Sequence, residues 1–450
     1  MTPTGSVRAG TEEGTTMPWN NSRRLGVAAL AVGAAVGLVA CSSGASGSGA
    51  VTSGDVTTLK LWTHNGGNAP ELAVNKKVVA DFNASQSKYK VELQSFPQAA
   101  YNDAVTAAAS AKKLPCILDI DGPNVPNWAW AGYLEPLDLP DSLFANQLPS
   151  TLGKIDDKLY SFGHYDVALN VVARKSVLTA NGIRIPSIDS PWTAAEFDAA
   201  LAKLKAGGKY TYPLDLGTSG TGEWLPYAYS PLLQSFGGDL INRDDYKSAQ
   251  GVLNGPKALE WAGWFRGLVD KGYMRQKSGA DATADFVNGK TAIVYTGSWA
   301  ADAVTKKFGS DVLFLPPPDL GNGPKIGGAS WQWGMAAGCP AKDGALEYLK
   351  FSAQTKYYVA YANALGLIPA NTDAASQVPN FAANGTYRIF LDLSKKYAVV
   401  RPVTPAYPFI ATTFQKVARD ILAGGDAKQI LDKAAAEIDN NIKSNGGYAF

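Results

Sequence analysis

Residues 58–120 read TLKLWTHNGGNAPELAVNKKVVADFNASQSKYKVELQSFPQAAYNDAVTAAASAKKLPCILDI, and the periodicities inside this stretch set the fold class. Residues 58–63 alternate apolar and polar side chains as a half-buried strand does, and residues 90–96 read as a second strand. Between them Leu72, Val78, Val79 and Phe82 recur at near-helical spacing over 70–83. An alanine-rich helix over 101–113 stops before Pro115, and residues 116–120 form a short apolar run of the kind buried in a parallel sheet. Strand, helix, strand, helix, strand is α/β alternation, which places helices on the faces of a sheet and a ligand crevice beyond the carboxyl ends of its strands. The polar residues at those ends are Thr63, His64, Asn65, Gly66 and Gly67 after the first strand, and Asp121, Gly122, Pro123 and Asn124 after the third.

Working outward toward the C-terminus, residues 159–168 (LYSFGHYDVA) lead into an apolar run at 169–173, and a second α/β pattern follows over 192–312. There Thr193 and Glu196 stand at capping-box spacing ahead of a stripe of Phe197, Leu201 and Leu204. Pro256 opens a helix through Val269, and 289–299 (GKTAIVYTGSW) reads as a strand ending in a polar and aromatic loop. Helices over 409–423 and 426–442 close the chain.

Working outward toward the N-terminus, Arg23 and Arg24 precede sixteen uncharged residues, 25–40, LGVAALAVGAAVGLVA. A basic flank, an apolar stretch shorter than the roughly 20 residues of a membrane-spanning helix, and small residues at its end form a signal-peptide pattern. Residues 38–41, LVAC, match the lipobox of bacterial lipoproteins, so residues 1–40 read as a signal peptide and Cys41 as the lipidated residue that anchors the protein to the membrane. Met17 is an alternative start, and residues 22–25 loosely resemble a twin-arginine signal. Residues 41–55, rich in Gly, Ser and Ala, read as a lipidated flexible tether, with the folded body beginning near Val56.

Removal of residues 1–40 takes three arginines and two glutamates from totals of 41 basic and 39 acidic side chains, leaving 38 against 37. That balance carries no electrostatic footprint for nucleic acid or anionic lipid surfaces. Apart from Cys41, the cysteines are Cys116 and Cys339; two separately buried thiols are slightly favoured over one disulfide, because sequence separation says nothing about distance. The chain has no Gly-x-Ser-x-Gly elbow, no His-Glu-x-x-His helix and no phosphate-binding Gly-x-x-x-x-Gly-Lys-Ser/Thr loop. Ser-x-x-Lys occurs at 85–88 and 110–113, without the companion motifs of a penicillin-binding active site. The glycine-rich run 217–222 bears no lysine and reads as a flexible link or a cleft rim.

Eight segments in order carry a resemblance: LKLWTHNGG (59–67), LPCILDIDGPN (114–124) with WAGYLEPLD (130–138), DDKLYSFGHYDVALNVVARKSVL (156–178), PWTAAEFDAALAKL (191–204), LLQSFGGDLIN (232–242), FVNGKTAIVYTGSW (286–299), GGASWQWGMA (327–336) and GLIPAN (366–371). Together they resemble the extracellular sugar-binding proteins of ABC importers, the group that includes the maltose-binding protein. The resemblance spans almost the whole chain after residue 40. It implies an α/β two-lobed clamp of the periplasmic-binding-protein kind, with the chain crossing between lobes near 165–170, near 325–328 and after Pro369. Residues 56–165 and 327–371 would form the N-terminal lobe, and 166–326 and 372–450 the C-terminal lobe. The implied protein is a monomer on the outer face of the cytoplasmic membrane that delivers a sugar or polyol to permease subunits.

Sugar capture needs flat apolar surface for the C–H faces of the ring and planar hydrogen-bonding groups for its hydroxyls. The chain has 11 Trp and 20 Tyr, and Trp224, Trp299 and Trp331 sit in polar loops, where aromatic rings with one wet edge belong. Family position makes Trp299 the first stacking candidate, whereas Trp62, alternating within a strand, reads as core. Asp121, Asp166 and Glu223 are the candidate carboxylates, since an ionised carboxylate accepts from two vicinal hydroxyls at once. His64, Asn65, Tyr165 and Arg401 complete the candidate ligand-binding set. His64 and His164 are the only histidines, both in loops the family uses to line its cleft; two are too few for a metal site, and no cofactor is implied. The rival class is a glycoside hydrolase, whose paired carboxylates also stand among aromatics, but no signature supports it. A sugar phosphate or another small metabolite on the same fold is the alternative cargo. The named loops hold no basic cluster, which favours a neutral ligand over a phosphate.

Overall fold

The computed structural model describes residues 49–449. The signal segment, Cys41 and the first part of the tether lie outside the described residues. Along the chain come β1 (Ala50–Ser53), β2 (Val56–Thr63), β3 (Tyr89–Ser95), β4 (Ile117–Asp121), β5 (Leu134–Glu135), β6 (Leu152–Ile155), β7 (Lys158–Phe162) and β8 (Tyr165–Asp166). They are followed by β9 (Leu169–Arg174), β10 (Leu214–Asp215), β11 (Ile293–Gly297), β12 (Val312–Leu315), β13 (Ile326–Gly328), β14 (Trp331–Ala336), β15 (Ile368–Pro369) and β16 (Ala398–Val400).

The first sheet is centred on residues 58–120. β2 pairs in parallel with β3 along its length and with β4 on its other edge, so the three strands end at one side of the sheet. Leu59 and Leu61 of β2 are fully buried, and the helix Ala69–Ser85 lays Val74, Val78, Val79 and Phe82 against the same core. Each such side chain contributes about 1.5–3 kcal/mol by leaving water. Asn68 caps this helix, accepting from the Glu71 backbone N–H at 3.3 Å, and Pro70 stands in its first turn, where no hydrogen bond is lost. β14 returns from far along the chain to lie antiparallel to β4, pairing Trp331 with Asp121. β7 and β6 extend the sheet beyond it.

The first sheet also corrects two expectations. Residues 50–53, assigned by composition to the tether, form β1, which pairs antiparallel with β2 through a turn at Gly54, whose φ of +60° suits glycine. Composition undervalues this segment because a sheet edge supplies the backbone partners that its own side chains do not. Cys116 and Cys339, with Cα atoms 4.7 Å apart, form a disulfide instead of two separate thiols. They flank β4 and β14, and only the pairing of these strands brings together residues 223 positions apart.

The second sheet has the order β10-β11-β9-β12, with β9 antiparallel to both of its neighbours. The helix Ala194–Ala206 carries the expected capping box between Thr193 and Glu196 and buries Phe197, Leu201 and Leu204. The C-terminal helices Tyr407–Leu422 and Ala427–Ser444 pack on each other and on the helices Trp224–Phe236 and Pro256–Asp270. Two short ribbons lie where the chain passes between the sheets: β8 antiparallel to β15, and β13 parallel to β16. No helix among the described residues is long and apolar enough to cross a membrane.

Candidate ligand-binding cleft

A cavity of about 410 Å³ draws its walls from the ends of strands in both sheets and from the connecting ribbons. Eight of the ten candidate residues line it: His64, Asp121, Tyr165, Glu223, Trp224, Trp299, Trp331 and Arg401. The first sheet supplies the end of β2 through His64, the end of β4 through Asp121 and the start of β14 through Trp331. The antiparallel register of β4 and β14 is what sets Trp331 beside Asp121.

The wall on this side is tightly bonded. His64 Nδ1 lies 2.6 Å from Asp119 Oδ2, and its ring stacks on Trp331 with centroids 3.5 Å apart and planes 6° from parallel. Thr63 Oγ1 donates to the same Asp119 oxygen at 3.0 Å. His64 Nε2 lies 3.7 Å from Glu71 Oε2, and Tyr165 donates its hydroxyl proton to Glu71 Oε1 at 2.7 Å. Burial works to lower the His64 pKa, yet the charge and hydrogen bond of Asp119, with Glu71 and Asp121 nearby, raise it on balance. Burial raises the Glu71 carboxyl, with His64 opposing.

The opposite wall is built on Arg401, which follows β16 and is only 4 % exposed. Its guanidinium donates through Nη2 to Asp121 Oδ1 at 3.2 Å and through Nη1 to Glu223 Oε1 at 2.7 Å, and it lies 5.0 Å above the centroid of the Tyr227 ring. Tyr407 donates its hydroxyl proton to the same Glu223 oxygen. Burial holds the Glu223 carboxyl above the ordinary carboxylate range; Arg401 opposes this and Asp121 reinforces it. Trp224 and Trp299 complete the wall, with centroids 6.1 Å apart and planes at 76°. Trp299 is 44 % exposed, unusual for so large an apolar side chain.

Glycines make room for both rings. A Cβ at Gly297 would fall 2.0 Å from the Trp299 ring, and one at Gly220 would fall 2.2 Å from Trp224 Cδ1. Trp224 Nε1 donates to the Gly217 carbonyl at 2.9 Å, and Thr221 lines the cavity, so the glycine-rich run is a cleft rim that seats Trp224.

Two candidates stand elsewhere. Asp166, in β8, is fully buried and accepts from Ser150 Oγ at 2.7 Å, the Val167 N–H at 2.8 Å and Ser394 Oγ at 2.9 Å, so it fastens a connecting ribbon instead of lining the cavity. Asn65 is turned under the first wall and 1 % exposed. His164 is also core: its Nε2 lies 2.8 Å from the Ser352 carbonyl, Trp333 Nε1 donates to its Nδ1 at 2.9 Å, and burial brings its pKa down to about 4. Glu71, Tyr227 and Gln98 line the cavity without having been singled out from sequence. Glu71 and Tyr227 sit at buried helical positions with no local sign of a site, and only the Glu71 spacing from Asn68, that of a helix start, offered a signal.

The family model of the bacterial extracellular solute-binding proteins matches residues 77–388. The chain belongs to that family. This solute-binding protein is 25 % identical over 340 residues to the diacetylchitobiose binding protein DasA of Streptomyces coelicolor, covering 72 % of this chain and 76 % of the relative. It is 24 % identical over 319 residues to an uncharacterized lipoprotein encoded in the oleD 5' region of Streptomyces antibioticus, covering 67 % and 68 % of the two chains. The solved sugar-binding protein MalE of Xanthomonas citri superposes with a TM-score of 0.72 at 17 % identity, over 86 % of this chain and 98 % of that one. The solute-binding protein therefore has the two-lobed α/β fold of MalE-like proteins, and its family is one of binding proteins, not enzymes.

Proposed function

We propose that the protein captures a carbohydrate or polyol in this cavity and delivers it to the permease of an ABC importer. The observation that carries the reading is the pairing, in one cavity, of aromatic rings from both walls with fixed, planar hydrogen-bonding groups: Trp331 with Asp121 on one wall, Trp299 with Glu223 and Arg401 on the other. Rings receive the apolar faces of a sugar, and carboxylate and guanidinium edges receive its hydroxyls. The relatives named for diacetylchitobiose and sugar binding support this class without selecting a ligand. A hydrolase reading is weaker, because the sequence carries no catalytic signature and Asp121 and Glu223 share the Arg401 guanidinium.

In this reading residues 56–165 with 327–371 form one lobe and 166–326 with 372–450 the other, and ligand favours the closed state by touching both. Calorimetric titration with a panel of sugars and polyols, paired with small-angle scattering, tests it. Saturable binding with compaction is expected; bound ligand without compaction would remove the clamp, and release of hydrolysis products would restore the enzyme reading. Cys41 is proposed as the lipid anchor, supported by the lipobox and by the lipoprotein relative. Cys41→Ala should move the protein from the membrane fraction to the soluble fraction with its ligand affinity intact.

A further inference from the structure

Charge in the cleft is unbalanced. Among the described residues the cations of the cavity wall are His64 and Arg401, and each is already held between two carboxylates: Asp119 and Glu71 for His64, Asp121 and Glu223 for Arg401. Four carboxylates thus share two cations. Glu223 is the one left open to the cavity. Its side chain is 30 % exposed, Oε1 takes both Arg401 and Tyr407, and Oε2 accepts no hydrogen bond from the described residues. Beside it the Trp224 and Trp299 rings meet nearly at right angles, and Trp299 is 44 % exposed. A carboxylate oxygen with spare capacity next to two indole faces is the chemistry that holds an ammonium group, through a charge-assisted hydrogen bond and cation–π attraction.

We infer that the ligand of this cleft carries a cationic amine, as an amino sugar or an amine-substituted glycoside does, seated between Glu223 Oε2 and the Trp224–Trp299 corner. This rests on the carbohydrate reading and sharpens it, replacing the neutral ligand expected from the absence of a basic cluster; that absence argues against anions and leaves cations open. The position of Glu223 adds a consequence. Its carboxyl is held above the usual range by burial, with Arg401 opposing and Asp121 and Tyr407 also facing it, so an incoming ammonium favours the ionised form and expels a proton.

The test is titration of the intact protein with oligosaccharides matched in length and linkage: glucosamine, galactosamine and mannosamine oligomers, their N-acetylated forms and the corresponding neutral glycans. The expected result is affinity about tenfold higher for the free-amine member of a series, weakening with added salt, as a partly desolvated ion contact would give. Binding of that member in two buffers of different ionisation enthalpy should show proton release, which neutral members do not cause. Glu223→Gln should lower affinity for the free-amine member by about tenfold more than for the neutral member of the same series, and an equal loss for both would overturn the inference. Equal or tighter binding of the neutral forms, with no proton release, overturns the amine inference and leaves the carbohydrate reading in place. Failure of every member to bind overturns the carbohydrate reading itself. The affinity difference between free-amine and neutral members and its salt dependence need no variant, so they decide the question even if Glu223→Gln folds poorly.

Discussion

The two walls of the cleft are built from similar residue types to different ends. On the first-sheet side, His64, Asp119, Glu71, Thr63 and Tyr165 satisfy one another, and Trp331 lies flat on the imidazole. On the facing side, Trp299 is nearly half exposed and Glu223 keeps an oxygen without a partner among the described residues. The first wall is completed by folding, whereas the second has capacity to spare. A mutation in the first should therefore be felt chiefly as stability, and one in the second chiefly as binding.

The largest effect on this contrast is expected at Asp119. Asp119→Ala leaves buried His64 and Thr63 without their shared acceptor and should cost about 3–5 kcal/mol of stability in urea denaturation. A loss below about 1 kcal/mol would show that the first wall is not a closed network. Next comes Trp299→Ala. It removes an exposed ring, so stability should change by less than about 0.5 kcal/mol while affinity for a bound sugar falls by about 2 kcal/mol, near thirtyfold. Unchanged affinity would take the second wall out of the site.

The smallest effect expected is a pH dependence of the first wall. His64 has a folded-state pKa above its unfolded value, so its contribution is full below about pH 6.5 and fades as pH rises through the folded value. Glu71, also raised, carries the same sign, since the native state holds its proton longer than the unfolded chain does. The melting temperature of the wild type should fall more steeply above pH 6.5 than that of His64→Gln. Parallel profiles would show that His64 is not held charged.

The same contrast explains what could be read without a structure. Strand ends followed by polar and aromatic residues marked His64, Asp121 and Trp299, because a residue just past a strand must lie at the rim of the sheet, and Glu223 was marked as a carboxylate beside Trp224 in a polar loop. Sequence could not say which way a rim residue turns. Asn65 directly follows His64 and Asp166 directly follows Tyr165, yet Asn65 is buried and Asp166 fastens a ribbon through Ser150 and Ser394. Glu71 and Tyr227 stayed hidden because each occupies a buried face of a helix, a position that from periodicity alone denotes core.

By itself, then, the amino-acid sequence determined the α/β alternation, the helix cap at Thr193, and the loops that supply most of the cavity, since all of these follow from interactions a few residues apart. Tertiary structure alone decided the Cys116–Cys339 disulfide, the recruitment of β1 from a segment that reads as tether, and the sharing of Arg401 between Asp121 and Glu223. Arg401 meets those carboxylates across 280 and 178 positions of chain, and the geometry of such contacts is set by how strands and helices pack, a quantity that no local pattern encodes.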